Sequence, residues 1–248
     1  MEPEPRARAS DPVAAARGPH LNQAGGRARE SLHPSVRGRE RELRALADAV
    51  RRLVRITVEN TGSAEWTAAA AAELGRIAER LASQVPTPIP PRYAGALADR
   101  PEPHDYFQYD CMLGLYNPLA LPVEMEWQPP RALGHARFGT PYEGPPGCVH
   151  GAILAGVFDQ VFNVANLMSG SAGPTVELSL RYERPTPLHE PLVFEAWVES
   201  VDERRIVTRG QLRHGERRTV EAVGRFARID RDRILRGLGR RAGESEGA

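Results

Sequence analysis

Between Gly144 and Gln160 the chain reads GPPGCVHGAILAGVFDQ, and its two residues best suited to chemistry are His150 and, nine positions later, Asp159. The run from about Val149 to Met168 reads as a helix. On its wheel Ile153, Leu154, Val157, Val161, Val164 and Met168 form an apolar seam, able to plug the concave face of a sheet. A second seam carries Ala152, Ala155, Gly156, Asp159, Asn163 and Asn166, a polar stripe bordered by small residues. No Lys, Arg or Glu lies on this helix, whereas a solvated helix face normally carries several, so Asp159 is read as a working carboxylate. Taking an unpaired carboxylate out of water costs roughly several kcal/mol and raises its pKa, which suits a general base.

His150 and Gly151 stand where the helix begins. The first N–H groups of a helix have no intrahelical acceptor and carry the positive end of its dipole. They can hold a carbonyl oxygen and stabilise the oxyanion formed when that carbonyl is attacked. A histidine there also serves simply as a cap or turn residue. Distance decides how these groups combine. Gly151 and Asp159 are eight residues apart, about 12 Å along an α-helix, while one reacting carbonyl must lie about 3 Å from both donor and base. A single helix cannot bring both to one substrate, but two antiparallel copies about a two-fold axis can. The small-residue seam is the expected meeting line, and the pattern predicts a dimer with two shared sites.

The flanking elements must hold this helix in place. Before it, Pro122–Trp127 and Arg131–Phe138 read as strands around Gln128-Pro129-Pro130. After it, Thr175–Tyr182 alternates, with Val176, Leu178, Leu180 and Tyr182 on one face. Strand patterns follow at Leu192–Val201, Arg205–Arg213 and Arg218–Ile229, the last two joined at His214-Gly215-Glu216. Strands, one long apolar helix, then four strands at meander spacing predict an α+β domain, an antiparallel sheet with one helix against it. Further toward the N-terminus, Leu43, Leu46, Val50, Leu53 and Val54 recur at helical spacing, and Ser63 is placed to cap a second helix through Leu81. The expected organisation is a disordered tail over 1–38, a helical hairpin over 39–83, a Pro-rich linker over 84–104, the α+β domain over 105–229 and a flexible tail over 230–248.

Bulk composition narrows the function class. The 248 residues have a net charge of +1, with all 33 basic residues arginine, which gives no support to a nucleic-acid-binding surface. Hydrophobic residues make up 41% of the chain, few enough that part of its length is expected outside any packed core. Cys111 and Cys148 are too few for a disulfide framework and lack metal spacing, so free thiols in the cytoplasm are expected. No stretch approaches about 18 uninterrupted apolar residues, and no membrane span is expected. The seven histidines show no ligand spacing.

GPPGCVHGAILAGVFDQ, followed by TVELSLRYERPTPL, resembles the hotdog-fold acyl-CoA thioesterases of the PaaI/4HBT type, in the branch with a YEGPPG-x-x-HGG lead-in. The resemblance spans roughly Asp105 to Ile229. It implies a sheet wrapped around one helix, assembled as dimers with a continuous sheet and often as tetramers. It also implies that Gly151, with His150, polarises a thioester carbonyl, and that Asp159 of the opposite subunit activates water or attacks directly. Thr175 then falls where relatives carry a Ser or Thr that positions water or nucleophile, and Tyr142–Gly147 matches the lead-in loop, with Gly147 at its end. Ala152 replaces the second glycine of the motif, and Gly144 stands where many relatives place an Asn. Ala152, Gly147 and Asn163 are expected to line the substrate, with Arg181 and Arg184 as candidate partners for coenzyme A phosphates. No metal or other cofactor is required by this chemistry. The implied activity is acyl-CoA hydrolysis; the alternatives are a non-catalytic acyl-CoA or acyl-ligand binding module with a partner-recruiting N-terminal hairpin, and a hotdog dehydratase, whose helix lead-in the sequence lacks.

Overall fold

A computed structural model of the chain describes residues 33, 35–89, 108–171 and 173–228. The tail expected over 1–38 and the linker expected over 84–104 lie for the most part outside them, and the tail after 230 wholly so. Two helices come first, α1 (Glu40–Glu59) and α2 (Ala64–Ala82). Then follow β1 (Val123–Gln128), β2 (Arg131–Ala136), a 3-10 turn (Thr140–Tyr142), helix α3 (Gly151–Met168), β3 (Thr175–Tyr182), β4 (Leu192–Val201), β5 (Arg205–His214) and β6 (Arg217–Ala227).

The six strands form one antiparallel sheet in the order β1-β2-β4-β5-β6-β3, with α3 packed against it. This is the α+β arrangement expected, with one difference. The last four strands do not run as a meander: β4, β5 and β6 do, while β3 pairs with β6 at the far edge. An edge strand has neighbours on one side only. Val176 and Tyr182 are accordingly exposed and Leu178 and Leu180 half-buried, although alternation places all four on one face. A register shift between Thr175 and Glu177 separates Val176 from the inward-facing set.

Helix α3 owes its position to aromatic rings set into glycine positions of the sheet. Phe158 and Phe162 are completely buried. A Cβ on Gly210 would stand 2.6 Å from the Phe162 ring and 3.1 Å from that of Phe158, and one on Gly224 would stand 2.6 Å from Phe162. Phe194 and Phe226 meet these rings edge-on, at centroid separations of 5.1 and 6.2 Å, a geometry in which the positive ring edge faces the negative face.

The N-terminal helices depart from the hairpin reading. α1 docks on the domain through buried Ala47 and through Arg51, whose Nη2 donates to the carbonyl oxygens of Gly114, Leu115 and Asn117. Its apolar stripe is only partly covered: Leu43, Val50 and Leu53 are half-buried, while Leu46 and Val54 are exposed. α2 leaves at an extended Asn60 (ψ 137°) and does not pack along α1.

Substituting Gly210→Ala is expected to destabilise the protein by about 1–3 kcal/mol, because the new methyl meets the Glu195 carbonyl at 2.8 Å as well as both rings. That outweighs the roughly 0.4–1 kcal/mol gained from a stiffer unfolded chain. A thermal midpoint equal to wild type would contradict the packing described.

Candidate active site

The lead-in loop is tied down before the helix starts. Gly147 adopts φ +72°, a conformation that costs L side chains energy, and its N–H donates to Glu143 Oε1 at 2.7 Å. Gly144 N donates to the Cys148 carbonyl at 2.9 Å, Val149 N to that of Thr186 at 2.9 Å, and His150 N to that of Tyr142 at 2.8 Å. Gly144 passes so close to His150 that a Cβ there would lie 2.8 Å from the His150 Cα. The asparagine that relatives carry at this position therefore has no room here.

His150 is the N-cap of α3, with φ −62° and ψ 132°. Its Nδ1 accepts from the Ala152 N–H at 3.0 Å, which selects the tautomer with its proton on Nε2. Ala152 was expected to line the substrate, and its N–H is already engaged by the cap. Ile153 and Leu154 donate to the His150 carbonyl at 3.0 and 3.3 Å. Gly151 is different: among the described residues, no acceptor meets its N–H. The first helical amide is thus available at the positive end of the dipole.

Eight residues on, Asp159 is half-buried rather than freely solvated. Its Oδ1 accepts from the Thr175 hydroxyl at 2.6 Å, which fixes one carboxylate oxygen and leaves Oδ2 for another donor. Thr175 opens β3, and the strand's last residue, Tyr182, reaches the other end of the helix, where its hydroxyl donates to the Gly151 carbonyl at 2.9 Å. A Cβ on Gly151 would lie 3.2 Å from that hydroxyl. Burial raises the Tyr182 pKa, keeping it a hydrogen-bond donor at any ordinary pH. The edge strand therefore runs from acid to amide, opposite in direction to α3. Tyr182 was legible in the sequence only as an alternating strand residue, since its partner is 31 positions away.

Other expected residues fall elsewhere. Asn166 does not continue a substrate-facing stripe: it is completely buried, and its Oδ1 accepts from the Thr208 hydroxyl at 2.5 Å. Asn163 turns its amide back to the Asp159 carbonyl at 2.9 Å. The small-residue seam is not left open for a second backbone along its length, because the Met112 methyl occupies the notch at Gly156, 2.3 Å from where a Cβ would stand. Asp110 presents Met112 by accepting from its N–H at 2.7 Å. Arg181 is engaged by Glu183 at 2.6 Å; Arg218 and Arg181 together hold the Glu183 carboxyl at about 2. Arg184 is exposed and makes no ion pair among the described residues. The described residues contain no group of three or more His, Cys, Asp or Glu suited to a metal ion.

Comparison with known proteins places this arrangement in context. The thioesterase superfamily model matches residues 146–221, which include the helix and most of the strands after it. A crystal structure of a thioesterase superfamily protein is 36% identical, with a TM-score of 0.63, covering 74% of this chain and 94% of that one. Among curated proteins, acyl-coenzyme A thioesterase THEM4 of Bos taurus is 28% identical over 95 residues, 37% of this chain. Acyl-coenzyme A thioesterase THEM5 of Homo sapiens is 26% identical over 68 residues, 27% of this chain. The aligned segments span only 39% and 28% of those two relatives' own lengths.

Thr208→Val should remove the hydroxyl that donates to Asn166 Oδ1 and leave that buried oxygen without a donor, lowering stability by about 1–3 kcal/mol. Pairing it with Asn166→Leu should recover most of that loss, as read by denaturant unfolding; equal losses for the single and double variants would refute the assignment.

Proposed function

Because the chain belongs to the thioesterase superfamily, we propose that it hydrolyses an acyl-coenzyme A thioester to a free acid and coenzyme A, with each site shared between two copies. The observation that carries this reading is the placement of β3. Its Thr175 end holds Asp159 and its Tyr182 end holds Gly151, and its outer edge lies at the border of the sheet. Pairing two β3 edges antiparallel about a two-fold axis sets the Thr175 end of one copy beside the Tyr182 end of the other. The acid of one protomer then faces the amide of its neighbour, which the separation of about 12 Å within one helix forbids for a single copy.

In the proposed reaction Asp159 Oδ2 accepts a proton from water as the water oxygen attacks the thioester carbonyl carbon. Thr175, bound to Oδ1, orients the carboxylate. The carbonyl oxygen becomes an oxyanion held by the Gly151 N–H of the other copy. Collapse of the tetrahedral intermediate breaks the C–S bond, and the thiolate leaves and is protonated. No metal or redox cofactor takes part. His150 acts by capping the helix and pointing Nε2–H outward. Arg184, unlike Arg181, has its guanidinium available for a coenzyme A phosphate. The assembly is a homodimer, with pairs of dimers forming tetramers. Free Cys111 and Cys148 suit a reducing, cytoplasmic setting.

One observation favours a second reading, in which the domain binds acyl-CoA without turning it over. The Ala152 N–H is spent on His150 and Gly144 excludes a polar side chain, so a single amide must support the oxyanion.

The deciding experiment is thiol release across short, medium, long and aromatic acyl-CoAs. Asp159→Ala should reduce turnover by about 10²–10⁴-fold. Gly151→Pro should reduce it by about 10²–10³-fold, since proline at the first helical position removes the N–H while keeping the helix. Gly151→Ala, which keeps the N–H, controls for the side chain. Co-assembling the Asp159→Ala and Gly151→Pro chains should restore about one site in four, because half of randomly formed dimers are mixed and each contains one intact site. No recovery on mixing would rule out the shared site. Wild-type protein that binds acyl-CoA by calorimetry yet releases no thiol would establish the binding module instead.

A further inference from the structure

Helix α2 raises a question that the proposed chemistry leaves unanswered. It is 19 residues long, about 28 Å, and none of its residues is buried. Both ends are satisfied within the chain: Ser63 Oγ accepts from Trp66 N at 3.2 Å, and the Ser83 N–H donates to the Glu79 carbonyl at 3.1 Å. Its apolar side is what stands exposed. Leu74, Ile77 and Leu81 are 38, 51 and 45% exposed, and among the described residues the helix makes no extensive contact with another element.

The pattern of that side is specific. Thr67, Ala70, Leu74, Ile77 and Leu81 follow one another at spacings of three, four, three and four, the seam of a two-stranded coiled coil. Immediately before Leu74 and Leu81, on one flank of the seam, stand Glu73 and Arg80. Among the described residues neither forms an ion pair. On the other flank stand Ala71 and Ala78.

From this arrangement we infer that α2 pairs with α2 of a second copy of this chain, in antiparallel orientation. Centring the pair between residues 75 and 76 sets Leu74 against Ile77 of the second copy and Ala70 against its Leu81. That same register, and no adjustment of it, sets Glu73 beside Arg80 of the second copy and Arg80 beside its Glu73. It also brings Ala71 to its Ala78, so the two backbones approach closely on the side without charges. A parallel pairing puts Glu73 next to Ala78 and Arg80 next to Val85 and uses neither charge. The charge pattern is therefore self-complementary in one orientation. A seam of five positions is short for an isolated coil, and it gains strength where other contacts already hold two copies together, through effective concentration. This contact is separate from the β3 edge and does not depend on any catalytic assignment.

The test is disulfide trapping in the full-length chain with Cys111→Ser and Cys148→Ser. Ala70→Cys and Leu81→Cys are introduced in separate preparations. In the antiparallel pair each cysteine is about 16 Å along the axis from its own counterpart but level with the other. Mixed preparations should therefore oxidise to linked dimers, whereas each alone should not. Adding Leu74→Glu and Ile77→Glu should abolish linkage while unfolding of the α+β domain stays unchanged, since within its own chain neither side chain is buried. Glu73→Arg should cut the yield several-fold, and adding Arg80→Glu should restore it. Linkage within a single preparation would show a parallel pair and overturn the proposal. Absence of linkage in the mixture would overturn it too, leaving the seam to a different protein.

Discussion

The glycine-lined seat of α3 is the constraint on which the rest of the structure depends. Phe158 and Phe162 sink to the level of the sheet only because Gly210 and Gly224 present no side chain to stop them, and Gly134 similarly admits Val161, whose methyl would lie 3.3 Å from a Cβ there. Seated this deeply, the helix spends its apolar face entirely on the sheet. Its remaining face, with Gly151 at one end and Asp159 two turns on, lies along the border strand. Had the sheet carried alanines at these positions, the helix would ride higher and the 2.6 Å contact between Thr175 and Asp159 could not form.

The border strand has two duties that pull in different directions. Its inner residues complete the sheet against α3, while among the described residues its outer edge pairs with no other strand, an edge of the kind that proteins usually protect or pair. Leu178 and Leu180 serve the first duty, while Val176 and Tyr182 remain exposed. The same strand organises the candidate site, because its two ends are hydrogen-bonded to the Asp159 carboxylate and to the first turn of the helix. Sheet architecture and site geometry are consequently one problem here, solved by eight residues.

Local pattern carried most of the elements. The period of α3, the alternation of the strands, the Gly/Pro lead-in and the lone acid could all be read directly, because each depends on neighbours within a turn or two. What escaped depends on distant partners. β3 belongs beside β6, not β4, and no local spacing reports that. Asn166 lies on the same line of the helix as Asp159 but at its far end, where the sheet curls over it, so a wheel groups residues that the fold separates. Met112 reaches Gly156 from a loop more than forty residues earlier in the chain. The N-terminal helices were legible as helices; that they would not fold against each other was not, since what α1 covers most fully is Ala47 and it anchors through Arg51, contacts made with a distant loop.

Arg51 has a wider consequence. Its guanidinium closes the loop carrying Asp110, Met112 and Gly114 by collecting three carbonyls, and Asp48 steadies it at 2.8 Å. That loop sends Met112 into the helix one turn before Asp159. The N-terminal region is thus a structural brace for the α+β domain, in direct contact with it. Removing the N-terminal helices alone would strip the brace away, leave the Gly114, Leu115 and Asn117 carbonyls without their guanidinium donor, and loosen the methionine wedge beside Asp159.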